Sequence, residues 1–490
     1  MKLKSDRNCA ILISIFLFSF ILCPPILFSS EGQSSSPLIF SSFEGREWVE
    51  KCVEQYPEVL WLAQDSVRKT EEGQATLNTT YSEQLFGKKY IEFDRTLMTL
   101  HCLRLILDGS ERAYQSFTAS QLDNKLLRES FHELHLQGQN LLNSQWSGLT
   151  VFEMAQAMET ALVLGDMGKS KKTREIFKPF GITAPDQDDF YGDALPILEK
   201  HPELSRSFAR LPSAVKTLLV KNANQAHYGH VTHLEGGIGM FHKLKENRAA
   251  VQDPIALDFD LFVHTCDVAG ALGHVNNNSS VAYTELTHRA LQAMGDAVRV
   301  LSHPEKTEND AYKAYLQIRA SWLGLDPALS SDRVLARIGA MLRLFTLEEG
   351  IVLRKAMNRI EPDMRRRISA QLDVQQKEPI RTPTYIPALL VNLSNNFQLG
   401  DTREERLHKA ITIGLSFITR VLEKHDEMLA NGEIDSNIPL NFNEMAGVAK
   451  KSPHHLINAD FSIDKEGMIQ LIPKHIENLD FGCARSEEHT

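Results

Sequence analysis

Apolar residues recur every three or four positions along most of this chain, the spacing that gathers side chains on one face of an α-helix. Sustained alternation appears only near its end. Residues 43–69 carry Trp48, Val49, Cys52, Val53, Tyr56, Val59, Leu60 and Leu62, which predicts a helix interrupted at Pro57. Residues 93–107 predict a second helix, with Leu97, Leu100, Leu103, Leu105 and Ile106 on its buried side and His101 as a scaffold residue. A long helix over 122–142 places His132, His135 and Gln139 on successive turns, and Trp146-Ser-Gly148 breaks it. Thr150 then caps a helix over 151–164, with Glu153 completing a capping box. Further helical patterns cover 195–219, 257–272, 281–301, 310–323, 332–345, 347–358, 363–372 and one long stretch over 404–429. Residues 71–84 and 183–193 read as polar, irregular surface segments. The tail changes period: residues 461–472 alternate and turn at Glu466-Gly467, a small hairpin. The pattern as a whole predicts an all-α protein with a short C-terminal β-hairpin.

The two ends stand outside this pattern. Lys2, Lys4 and Arg7 precede an apolar run over 9–23, then Pro24, Pro25 and a Ser-rich stretch. A basic start, an apolar middle and a polar exit predict a signal peptide over 1–30, with the mature chain beginning near Ser30 to Ser36 and exported to a periplasmic, secreted or lumenal space. The competing reading is an uncleaved membrane anchor over residues 9–28. At the other end Arg485 to Thr490, RSEEHT, looks like a translated sequencing adapter.

At 490 residues the chain exceeds one compact core, and its expected divisions are N-terminal helices to 120, a helical domain over 121–302, a second helical region over 303–430 and a tail over 431–484. A net charge of -10 argues against a general nucleic-acid binder, which would carry a basic surface. The triplet Arg365-Arg366-Arg367 reads as a solvated helix face. Beyond the leader only Cys52, Cys102, Cys266 and Cys483 remain, too few for a disulfide framework, although one bridge stays open. Asn78-Thr79-Thr80 is a glycosylation sequon for a eukaryotic host.

Candidate chemistry centres on residues 159–169, ETALVLGDMGK: an apolar helix ends, delivers Asp166, and turns at Gly168 ahead of Lys169. The layout resembles the HD-domain metal-dependent phosphohydrolase superfamily, with Gly165 standing where the family has its signature His. Two later segments extend the resemblance. HYGHVTHLEGG spaces His227, His230 and His233 by three, and FVHTCDVAGALGH carries His264 and Asp267 one turn apart. Ala269, Gly270, Ala271 and Gly273 in the latter would let another helix pack closely.

In that superfamily such residues hold a divalent ion that polarises a phosphoryl group and activates water. The resemblance implies His135, Asp166, His230, His233, His264 and Asp267 as metal ligands. It implies Asp166 and Lys169 as catalytic groups, Lys169 facing a small phosphorylated substrate. Imidazoles and carboxylates together suit Mn, Fe, Co or Zn. The expected activity is a divergent phosphohydrolase on a phosphoester or nucleotide-type substrate. The alternatives are a degenerate, non-catalytic exported interaction protein and a di-iron oxygenase-type site. No Walker loop, GxGxxG, GxSxG or HExxH pattern points elsewhere.

Overall fold

The computed structural model describes residues 36–64, 78–184, 187–223, 228–246, 253–373 and 382–472. From Ser36 onward these form one compact unit sharing a single apolar core that runs from Leu38 to Ile469. The leader, His227, Cys483 and the terminal RSEEHT all lie outside the described residues. The class is all-α, closed by a two-stranded antiparallel hairpin, Asp460–Ile463 with Ile469–Ile472, in which Phe461 faces Leu471. Among the described residues no helix is long and apolar enough to cross a membrane.

The N-terminal half is built around one helix. After α1 (Gly45–Gln55) and the short α2 (Tyr81–Phe86), α3 (Ile91–Asp108) runs through the core with thirteen of its eighteen residues buried. A helix covered on every side needs no polar stripe, and α3 is apolar around most of its circumference. It is flanked by α4 (Glu111–Thr118), α5 (Arg128–Leu142), α6 (Val151–Gly165) and the Pro254–Gly270 helix.

The last of these contacts depends on small residues. A Cβ built on Gly270 would lie 2.4 Å from the Thr99 amide nitrogen, and one on Gly273 would lie 2.5 Å from the Asp94 carbonyl oxygen. Two helices whose backbones come this close leave no room for a side chain between them. Because Gly270 meets Thr99 and Gly273 meets Asp94, the two helices run antiparallel.

Several boundaries differ from the sequence reading. Residues 183–193, expected as a surface insertion, run into the Gln187–Lys200 helix, because Phe190, Ala194, Leu195 and Leu198 form a fully buried stripe that outweighs the acids beside it. The 195–219 pattern is cut into three helices, with breaks at Pro202 and Pro212. Within 71–84, Thr80 and Glu83 form a capping box that starts α2. The 404–429 stretch is continuous but contains a π-helical segment, Ala410–Leu415. Asn78 is committed elsewhere: its carboxamide donates to Asn277 and accepts from the Asn277 amide at 3.3 Å, which disfavours its use as a glycan acceptor. Cys52, Cys102 and Cys266 are buried free thiols.

Candidate functional site: a buried charge cluster at Lys169

The Thr150–Glu153 box starts α6 as expected, and the helix ends with Asp166 as its C-cap. A single turn follows, closed by the Lys169 amide donating to the Asp166 carbonyl at 3.0 Å. That turn folds the Lys169 side chain back into the core, where it is 2% exposed. Its Nζ lies 2.6 Å from Asp166 Oδ1 and 3.2 Å from Glu92 Oε2, and both carboxylates are themselves buried. Arg95 stands one turn along α3 from Glu92, with Nη1 at 3.6 Å from Glu92 Oε1. Thr96 Oγ1 donates to Asp166 Oδ2 at 3.2 Å.

The electrostatics favour a charged lysine. Burial and the neighbouring Arg95 guanidinium press the Lys169 pKa down, but Asp166, Glu92 and, through space, Asp267 overcome them, leaving it above its ordinary value. Lys169 is therefore a fixed internal cation held between carboxylates. Removing such a partner from a buried pair is costly, because an uncompensated charge remains in a poorly polarisable surrounding.

The residues singled out in the sequence divide among three places. Asp166 and Lys169 are in direct contact, and Asp267 acts on the same ammonium from the antiparallel helix. His264 is one turn before Asp267, with its ring 5.4 Å from that of Tyr228. His135 is not among them. Its Nδ1–H donates to the Ile106 carbonyl at 3.0 Å, roughly 15 Å further along α3 than Thr96 at about 1.5 Å of rise per residue. The reason is that α5 packs against the opposite end of α3, where Gly109 leaves space for the His135 ring.

His230 and His233 belong to a third place. His230 Nδ1 is 2.6 Å from Glu235 Oε2, while Glu235 Oε1 accepts from the Ile386 amide at 2.7 Å and Arg337 donates to the Leu234 and Glu235 carbonyls. His233 is driven well below the usual imidazole pKa by burial and by Arg343 and Arg319 beside it, and so stays neutral. These contacts tie the Tyr228–Thr232 helix to the C-terminal half of the molecule.

The donor set does not fit a His-Asp metal centre. Asp166 and Glu92 are engaged with Lys169, and among the described residues no three His, Cys, Asp or Glu side chains converge to hold an ion. Glu92, Arg95 and Thr96 are the members that sequence reasoning missed. Their trace is faint: charges at Glu92 and Arg95, three apart, near the start of a helix that is buried for most of its length.

Comparison with known families gives one match. The model of a family of unknown function, DUF6829, matches residues 51–438. The chain belongs to this family. The family match takes in the whole Lys169 cluster and the Glu235 node, and ends before the hairpin. No curated protein and no solved structure matches the chain.

Proposed function

We propose that this family member is a metal-independent helical binding protein, in which Lys169 supplies the positive charge that a divalent cation supplies in HD-type sites. The observation that carries this reading is the Lys169 ammonium, 2% exposed and within 3.2 Å of two buried carboxylates. A site already neutralised by its own side chain has no charge deficit for a metal to fill. Export remains part of the proposal, supported by the basic, apolar and Ser-rich succession over residues 2–36.

A divergent metal-dependent phosphohydrolase acting on a small phosphoester is the second reading, and what favours it is the proximity of Asp166, Lys169 and Asp267. One set of measurements separates the two. Under the first reading the purified protein carries metal far below one equivalent, and chelator leaves its unfolding unchanged. Lys169→Met then loses roughly 3–5 kcal/mol in urea denaturation, the range for a broken buried pair. Stoichiometric Mn, Fe, Co or Zn, with phosphodiesterase or phosphomonoesterase activity that rises in Gly165→His, would establish the second. A Cβ at Gly165 meets nothing within 4 Å, so the first atom of the new side chain is accommodated.

A further inference from the structure

Between α5, the Pro254–Gly270 helix and the Glu285–Arg299 helix lies a cavity of about 220 Å³ that opens to water on one side. Its inner wall is apolar: Leu141, Leu261, Phe262, Leu291 and Met294 are buried in the fold and border this space. A glycine on the Glu285–Arg299 helix keeps the space clear. A Cβ built on Gly295 would lie 3.5 Å from Leu261 Cδ1 and 3.3 Å from Arg299 Nη1, two other groups of the lining. A longer side chain at position 295 would therefore grow into the cavity. Glycine is a poor helix former, so the helix itself gives no reason for it at this position.

The polar part of the lining carries no net charge. Asp258 and Arg299 are its two charged residues, and they pair at 2.8 Å, with Asp296 also meeting Arg299 at 3.3 Å. A charged molecule entering such a site would have to break that pair or lie unpaired against an apolar floor, and both are unfavourable. The uncharged polar groups are amides and hydroxyls. Gln137 Nε2 donates to Gln292 Oε1 at 3.3 Å across the two helices, a long bond that a ligand hydroxyl or carboxamide can replace. An apolar cavity between helices with a few polar groups to fix orientation is the usual form of a small-molecule site.

We infer that this cavity binds a small uncharged aromatic molecule bearing a hydroxyl or carboxamide, with its ring against Leu261 and Phe262 and its polar end at Gln137 and Gln292. The size agrees: a cavity of roughly 150 Å³ holds benzene, so this one has room for a single ring with a short substituent. The inference gives a ligand class to the binding reading above, but stands on residues separate from the Lys169 cluster. A metal-containing protein would therefore not overturn it, nor would its failure bear on the metal.

Titration calorimetry and ligand-observed NMR of the full chain test it, with phenol, benzamide and toluene as uncharged probes and benzoate and benzylamine as their charged counterparts. The expected result is saturable binding of phenol or benzamide at millimolar concentration or below, and at least about tenfold weaker binding of the charged pair. Gly295→Leu fills the cavity and should abolish binding of every probe while the helical circular dichroism is kept. Gln292→Leu removes the amide and should weaken phenol and benzamide by roughly threefold to tenfold, the scale of one hydrogen bond, while toluene is unaffected. Should Gly295→Leu fail to fold, Gln292→Leu decides. Absence of saturable binding by phenol and benzamide overturns the inference, as do equal binding of benzoate or benzylamine and undiminished binding in the folded variants.

Discussion

Three buried titratable residues set opposing pH dependences on the fold. Glu159 on α6 accepts from the Ile39 amide at 2.7 Å and from the Tyr56 hydroxyl. Burial outweighs those bonds and raises its carboxyl from 4.5 to about 7. Asp94 is raised from 3.8 to about 6, again by burial, against the bonds that Ser82 donates. A carboxyl with a raised folded pKa adds stability that is complete below its unfolded value and disappears as pH climbs through the folded one. His101 has the opposite sign. Burial and Arg104 lower it from 6.5 to about 4, so its cost appears as pH falls through that window. Each shift corresponds to roughly 3 kcal/mol. The buried His233, also lowered, adds to the imidazole side, so the wild-type curve is a balance of opposed contributions and single substitutions read each of them by urea denaturation between about pH 5 and pH 7. Relative to the wild type, Glu159→Gln should tilt the stability curve upward with rising pH and His101→Asn should tilt it downward. Substitutions that leave the slope unchanged would contradict the assignment.

At the scale of elements, the decisive contact is between α3 and the Pro254–Gly270 helix, and two glycines with different surroundings test it. Gly270→Ala must push its methyl into the Thr99 backbone, so overpacking should cost about 1–3 kcal/mol in thermal unfolding. Gly165→Ala meets nothing within 4 Å at the end of α6 and should be neutral or stabilising by up to about 1 kcal/mol. Equal destabilisation by both substitutions would mean that the interhelical approach is not what Gly270 provides. The same helix pair also carries Glu92, Arg95 and Thr96 toward Asp166 and brings up Asp267, so spreading it should weaken the Lys169 cluster as well.

For the whole molecule, the residues past the family match are structural. The Asn443–Lys451 helix packs on the Ile386–Ser394 helix, where Asn392 and Asn396 donate to the Ala446 and Ala449 carbonyls and Leu389, Leu390 and Leu393 are fully buried. Backbone pairing of Thr384 with Asn441, and of Asn441 with Met468, joins this layer to the hairpin. Ending the chain after residue 438 would uncover those leucines. The truncated protein should aggregate or melt well below the full chain, as light scattering during a thermal scan would record. Intact melting of the truncated form would show the tail to be an appendage.

What the sequence determined by itself is local. Helical periodicity, the Thr150–Glu153 box, the turn that follows Asp166, the small residues at Gly270 and Gly273 and the alternating tail depend on neighbours within a few positions, and each has its expected form in the fold. The 187–200 helix was obscured because its acids masked a buried stripe whose partners are distant. Which charges meet was decided only by tertiary structure. His135 and Thr96 both belong to the surroundings of α3 yet sit at opposite ends of it, and Glu92 becomes the partner of Lys169 because α3 passes behind the end of α6. Side chains brought together from positions 92, 166 and 267 leave no periodic trace in the sequence, since their common surroundings come from helix packing rather than from spacing along the chain.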